Sequence, residues 1–289
     1  MSYAYLITAT LFVSFCGIGA TYYNRINRGK KDTTKLYNLI TLAVVFLCWL
    51  VKFLLNPEAD LGVIPYSLTF TLGYTSAMIF EVMVYREGPL MLSSLIMQLS
   101  MIATPIWGFF FWNTPVTPPV IGGLILVVIS LWLCLYNGKV EGEKRTNTKW
   151  LIFIAVYFVG NSIAAITQRT QQIDFDSAYG DFLMVVATAI SLAVCIISYS
   201  RSDKSDSREI LKKSAFIPFL VGAANFLINL LIIILATSEL SPSLIYPVIA
   251  VGSLSVNTVF SVFLFKEKMR WWQWIGVAVG AVAITLLSI

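Results

Sequence analysis

The chain has 289 residues, of which 58% are hydrophobic and only 12% charged, whereas about 25% are charged in a typical soluble domain. Its mean hydropathy is +0.80 and its net charge at pH 7 is +5. This composition excludes a large soluble domain. It indicates a membrane protein, because several windows almost free of charge reach about 20 residues, the length of a spanning helix.

The apolar runs predict ten transmembrane helices. In chain order they cover 3–23, 36–55, 63–85, 89–112, 118–136, 149–168, 177–199, 214–237, 242–265 and 271–289. The first run has no basic n-region and no A-x-A cleavage site, so we expect a retained helix rather than a signal peptide. The sequence therefore predicts an all-α integral membrane protein.

Lysine and arginine residues are concentrated on one side of these predicted helices. The odd-numbered connections hold 18 of the 20, and only Lys52 and Arg169 remain for the other side. Because short cytoplasmic loops retain Lys and Arg, we expect the odd connections in the cytoplasm and both termini outside a plasma (inner) membrane. The same bias explains the net charge without a nucleic-acid partner.

The two halves of the chain resemble each other weakly. GPLMLSS aligns with SPSLIYP, and FFFWNTPVTPPVIGGLILVV aligns with VFLFKEKMRWWQWIGVAVGA. A five-helix unit repeated in tandem starts on opposite sides of the membrane, so the second copy is inverted. The sequence thus predicts two inverted five-helix repeats, 1–138 and 149–289, joined by a cytoplasmic linker, 139–148. This architecture is typical of transporters.

The last hairpin, FLFKEKMRWWQWIGVAVGAVAI, carries a resemblance to a known family. Its apolar run, Glu-Lys turn and Gly-spaced closing helix resemble the repeat ending of the drug/metabolite transporter (DMT) superfamily, specifically the EamA-type ten-helix carriers. The first half departs from this pattern, with Thr114 where the family usually has Glu. The resemblance implies a carrier of amino acids, nucleobases, quaternary amines, sugars or drugs.

Glu81 is the only acidic residue well inside a predicted span. Ionisable groups in a membrane are costly and are functional candidates by default. Its carboxylate shares a helical face with Tyr74 and Met78 and suits a cationic solute or a transferable proton. Because the chain has no histidine, Glu81 is the candidate for proton coupling. The alternatives are a structural partner for Arg86 and a snorkelling group.

Amide and aromatic side chains complete the predicted site. Amides suit a neutral or zwitterionic solute, although they also join helices in membranes. Pro105 and Pro247 free backbone groups beside Trp107 and Tyr246, which a cavity can use. The predicted substrate-binding residues are Tyr74, Glu81, Gln98, Trp107, Tyr157, Asn161, Asn225, Asn229 and Tyr246.

These features predict a transporter of a small polar organic metabolite, working by alternating access around a cavity between the repeats. The alternative is an exporter of amphipathic drugs or cations. An intramembrane enzyme or receptor is less favoured, because no paired acids, histidines or nucleophile motif occur in the spans. The four cysteines lack a C-x-x-C context, so we expect no metal and no cofactor. The expected partners are the solute and the bilayer, and the driving force is either the solute gradient or a proton carried by Glu81.

Overall fold

The computed structural model describes residues 1–88, 90–112, 117–135, 148–240, 242–266 and 270–287. These residues form eleven α-helices and no strand. The helices are α1 (Ser2–Ile26), α2 (Thr33–Leu55), α3 (Ile64–Glu87), α4 (Leu90–Phe111), α5 (Pro118–Leu135), α6 (Thr148–Asp174), α7 (Gly180–Ser200), α8 (Ser207–Ser214), α9 (Phe216–Ala236), α10 (Pro242–Phe263) and α11 (Trp271–Leu287). Thr114 and residues 139–147 of the predicted linker lie outside the described residues.

The all-helical prediction is confirmed, and each predicted apolar segment overlaps one long helix. Within the described ranges, seven helices are long and apolar enough to cross a membrane: α1, α2, α3, α6, α7, α9 and α10. Shorter apolar stretches lie in α4 and α5, at 96–111 and 118–130. Large apolar side chains such as Leu72, Phe110 and Phe263 point outward, as in a protein surrounded by lipid.

The structure differs from the predicted segments in two places. The sixth segment was expected to end at 168, but α6 continues to Asp174, because its polar run TQRTQQID still forms helix. The charged connection 201–213 was expected to be a loop, but it contains α8. In this short helix Ile210 is buried, and Lys213 donates to Glu209 across one turn at 2.9 Å. Amphipathic spacing in SREILKKS explains the helix.

The long helices pack in a defined set of pairs. α3 lies along α6 and α7, α1 along α9 and α10, and α2 along α7 and α9. α4 packs against α6 and α10. α5 and α11 pack against each other; α5 also contacts α4, and α11 also contacts α10. The interior of the bundle therefore lies between α1, α3, α4, α6, α9 and α10.

Helices α3 and α6 approach each other closely through two glycines. A Cβ atom added to Gly73 would lie 2.5 Å from the Gly160 carbonyl oxygen and 2.8 Å from the Ala164 nitrogen. A side chain at Gly160 would collide with Ser76 Oγ and with the Gly73 carbonyl. Only small residues let two backbones meet in this way, so the two glycines fix one wall of the interior.

One end of the bundle, here called the basic end, holds the α1–α2 and α7–α8 loops. The Lys31 amide donates to Asp206 Oδ2 at 2.9 Å, and the Asp203 amide donates to Asp32 Oδ2 at 2.7 Å. The Lys31 ammonium donates to Asp203 Oδ2 at 2.8 Å. This hydrogen bond, helped by the Ser205 amide, lowers the pKa of the Asp203 carboxyl to about 2. We call Lys31, Asp32, Asp203 and Asp206 the loop clasp.

The opposite end of the bundle holds the α2–α3 and α6–α7 loops. Lys52 on α2 forms an ion pair with Asp181 on α7. The Tyr66 hydroxyl on α3 donates to Asp174 Oδ2 on α6 at 2.5 Å. Polar contacts between the α1–α5 and α6–α11 parts of the chain therefore lie at both ends of the bundle.

Candidate functional site

A cavity of about 100 Å³ lies in the interior of the bundle. Side chains from α1, α3, α4, α6, α9 and α10 surround it. The lining consists of Val13, Cys16, Phe70, Tyr74, Ala77, Met78, Glu81, Met101, Tyr157, Asn161, Ala164, Ala165, Gln168, Asn225, Ile228, Asn229, Ile232 and Tyr246. The cavity combines apolar walls with a few polar groups, the usual character of a small-molecule site.

Seven of the nine predicted site residues line this one cavity. They are Tyr74, Glu81, Tyr157, Asn161, Asn225, Asn229 and Tyr246. They come from four helices, α3, α6, α9 and α10, that are far apart in sequence. The structure thus brings together residues that the sequence marked only because they are polar or aromatic within apolar runs.

A hydrogen-bonded chain crosses the cavity from α3 to α9. The Tyr74 hydroxyl donates to Asn225 Oδ1 at 2.6 Å, and Asn229 Nδ2 donates to the same oxygen at 3.2 Å. Asn229 Nδ2 also donates to the Asn225 carbonyl at 2.9 Å, and Asn225 Nδ2 approaches Met78 Sδ at 3.6 Å. The two asparagines lie one turn apart, so they present neighbouring amides to the cavity.

Asn161 holds the opposite wall, where α6 meets α4. Its Nδ2 donates to Ser100 Oγ at 2.8 Å, and the neighbouring Ser162 hydroxyl donates to the Ser100 carbonyl at 3.2 Å. Asn161 is half-buried and lines the cavity. Its amide both joins two helices and remains available to a bound molecule.

Glu81 lies at the end of the cavity nearest the basic end. It follows Gly73, at the α3–α6 crossing, by eight residues, a rise of about 12 Å along α3. Arg86, the predicted structural partner, pairs instead with Glu87, at 4.0 Å. No hydrogen bond or ion pair reaches the Glu81 carboxylate from any residue that the structure describes.

Gln98 and Trp107 do not line the cavity. Gln98 is buried elsewhere on α4. Trp107 is 40% exposed and stacks on Phe111, with the ring centroids 4.1 Å apart. The proline in α4 therefore does not bring Trp107 to the interior, whereas Tyr246, beside Pro247, is buried and lines the cavity.

Sequence reasoning missed Gln168. Its side chain is buried and lines the cavity, and its Nε2 has no hydrogen-bond partner among the described residues. Asn161, Ala165 and Gln168 are spaced i, i+4, i+7, which places them on one face of a helix. This spacing was available in the sequence, but the predicted helix ended at 168.

Within the described part of the chain, no group of three or more His, Cys, Asp or Glu side chains could hold a metal ion. Cys16 lines the cavity as a free thiol, and Cys48 and Cys195 are also free. The chemistry available at the site is therefore hydrogen bonding by amides and phenols, one carboxylate, and contact with aromatic and sulfur-containing side chains.

The fold matches 29 chains of solved structures. One of them, described only as "Crystal structure of protein", has a TM-score of 0.66 and 12% sequence identity over 99% of this chain and 96% of its own. At this identity the likeness concerns the fold and not the activity. No family model matches the chain, and no curated protein matches it.

Proposed function

We propose that the protein is a membrane carrier for a small polar organic solute. The observation that carries this proposal is the cavity itself. It is lined by amides, phenols and a carboxylate, and it lies inside a helical bundle whose outer surface is apolar. Polar groups facing the interior of a membrane protein commonly mark a solute pathway.

The packing of the helices supports two inverted repeats, 1–138 and 149–289. Match α1–α5 in order with α6, α7, α9, α10 and α11. The pair α1–α9 then becomes α6–α3, α1–α10 becomes α6–α4, and α2–α9 becomes α7–α3, all of which pack together. The pairs α2–α7, α4–α10 and α5–α11 map onto themselves. An approximate twofold axis between the halves explains this pattern.

The cavity follows the same relation. The first half contributes α1, α3 and α4 to its lining, and the second contributes the matching helices α6, α9 and α10. Substrate sites of inverted-repeat carriers lie at the interface of the two repeats, near the midplane of the bilayer. In this proposal the ten long helices all span the membrane, and α8 lies at its surface.

The distribution of charge orients the carrier. The basic end, with the loop clasp, faces the cytoplasm, and both termini face outward from the plasma membrane. The clasp joins the halves on the cytoplasmic side, while the cavity extends toward the outer end as far as Tyr246, near the start of α10. Alternating access then requires the clasp to open.

The size of the cavity favours a small solute over a drug. Pockets for drug-sized ligands measure about 300–1,000 Å³. The cavity here measures about 100 Å³ and contains several hydrogen-bonding groups. Export of amphipathic drugs would use a larger, mainly aromatic surface, so the metabolite carrier is the preferred proposal.

Flux across a membrane tests the proposal directly. Purified protein is reconstituted into liposomes, and the uptake of labelled alanine, uracil, glucose and choline is measured against protein-free liposomes. We expect saturable uptake of at least one solute class. Absence of uptake for every class would contradict the carrier function.

Labelling in intact cells tests the orientation. In a variant without native cysteines, Glu58→Cys should react with an impermeant thiol reagent, and Lys204→Cys should not, because the two exposed positions lie at opposite ends of the bundle. The reverse pattern would overturn the assigned orientation.

A further inference from the structure

We infer that the solute carries an ammonium group and that Glu81 binds this group. The inference rests on the proposed transport function and names the chemical class of the solute. It arises from three observations: the described residues give the Glu81 carboxylate no counter-charge, those that line the cavity beside it are otherwise uncharged, and there is space next to it.

The described residues provide no counter-charge for Glu81. Arg86 pairs with Glu87 at 4.0 Å. The Arg25 guanidinium lies 4.4 Å from the Phe265 ring centroid and donates to the Phe265 carbonyl. A carboxylate in the interior of a membrane protein is stabilised by a positive partner or a proton. With no such partner among the described residues, Glu81 can take either one from a molecule bound in the cavity.

The walls beside Glu81 suit an organic cation. Tyr157, Tyr74, Met78 and Met101 line the same cavity, and its lining contains no Lys or Arg from the described part of the chain. The Tyr74 ring is held in place, because it stacks on Phe70 at 5.2 Å and its hydroxyl is engaged by Asn225. Aromatic faces attract ammonium groups, most strongly where water is excluded.

The cavity has room beside Glu81 for an ammonium group and not only for a proton. Glu81 lines a space of about 100 Å³ that continues to Asn161, Asn225 and Asn229. These amides can bind the polar remainder of a solute whose cationic end lies at Glu81. A metal ion is a poorer fit, because Glu81 is the only acidic residue that the described ranges contribute to the lining and hard cations take several oxygen ligands.

Pairs of matched probes test the inference on the full-length protein in detergent. Choline is compared with its uncharged isostere 3,3-dimethylbutan-1-ol, and ethanolamine with propan-1-ol, by calorimetric titration. At least one cation should bind about tenfold or more tightly than its isostere, a difference of about 1.4 kcal/mol. Preference for either cation supports the site. Equal binding within both pairs, or no binding of either cation, overturns it.

Two variants assign the preference to Glu81. Glu81→Gln should reduce cation affinity to that of the isostere. Glu87→Gln, the same change on the same helix but outside the cavity lining, should leave the preference unchanged. A Glu81→Gln protein that still prefers cations would overturn the assignment. If Glu81→Gln does not fold, Glu81→Asp takes its place, because it keeps the carboxylate. It should bind the cations and still prefer them over the isosteres. The wild-type comparison of cations with isosteres then decides whether the ammonium site exists.

The flux panel separates this inference from the proposed function. Uptake of uracil or glucose, which carry no ammonium group, by protein that does not distinguish cations from isosteres would overturn the ammonium site and leave the carrier function standing. Selective cation binding without flux of any solute would retain the site and overturn the carrier function.

Discussion

The Tyr74 hydroxyl donates a hydrogen bond that ties α3 to the asparagine pair on α9, Asn225 and Asn229. Tyr74→Phe removes this donor and leaves Asn225 Oδ1 with only the Asn229 amide. We expect solute affinity to fall about threefold to tenfold, equivalent to about 0.5–1.5 kcal/mol, because the amides lose their fixed position. Binding is measured by calorimetry and folding by gel filtration.

Two variants test whether the loss of affinity in Tyr74→Phe is specific to the cavity. Tyr3→Phe makes the same change at a side chain that is 60% exposed, and Trp107→Ala removes a large ring that does not line the cavity. Both should bind solute like the parent. Equal affinity in Tyr74→Phe and Tyr3→Phe would show that the hydrogen bond does not position the site.

At the residue scale, polarity within apolar runs was a useful signal. It pointed to Tyr74, Glu81 and the asparagines, because burying such groups is costly unless they have a role. It failed for Trp107, since a proline in the same helix does not determine which way a neighbouring ring faces. Helix rotation depends on packing partners distant in sequence, and the sequence pattern around Trp107 does not contain them.

The close packing of α3 against α6 predicts how a larger side chain at Gly160 changes stability. Gly160→Ala places a methyl group against Ser76 Oγ and the Gly73 carbonyl, so the two helices must separate. We expect a loss of stability of about 1–3 kcal/mol, the usual range for overpacking. Thermal unfolding in detergent measures this effect. Gly122→Ala is the control, because a Cβ there meets nothing within 4 Å. An equal melting temperature in the two variants would contradict the close approach.

The loop clasp predicts a pH dependence. The pKa of Asp203 is lowered to about 2 from 3.8, with the hydrogen bond from Lys31 as the main cause. A lowered pKa means that the carboxylate stabilises the clasp above about pH 4 and loses this effect as the pH falls through about 2. High salt should also weaken the clasp, because these charges are exposed.

Spin-label distances between Arg28→Cys and Lys204→Cys in nanodiscs measure the opening of the clasp. The distance should lengthen between about pH 4 and pH 2. Asp203→Asn should lengthen it already at pH 7 and reduce its further change with pH. Glu58→Gln, at the opposite end of the bundle, should leave the profile unchanged. A distance independent of both pH and Asp203 would show that the clasp does not hold the two loops together.

At the scale of elements, apolar length located the long helices well, because spanning a bilayer requires about 20 residues. It missed α8 and the end of α6, where helix continues through polar sequence. In α8, amphipathic spacing and the Glu209–Lys213 pair stabilise the helix, and these features are visible in the sequence but too short to distinguish from a loop.

For the whole molecule, weak similarity between the halves predicts inverted repeats, and this arrangement stays a prediction. The sequence did not show that α1, α3 and α4 meet α6, α9 and α10 around one cavity. Such contacts join residues 61 positions apart, as in Ser100 and Asn161, or 151 positions apart, as in Tyr74 and Asn225, and no local pattern encodes them.

Solute exchange with the clasp locked tests alternating access most directly. Lys31→Cys and Asp203→Cys are introduced together without the native cysteines, and the protein is reconstituted in liposomes and joined at these two thiols with a reducible bis-methanethiosulfonate cross-linker. Uptake of labelled alanine, uracil, glucose and choline is measured against an excess of the same unlabelled solute inside. We predict that the locked protein exchanges no solute and that reduction restores exchange to the level of the protein that was not cross-linked. Exchange at the same rate before and after reduction would contradict the account.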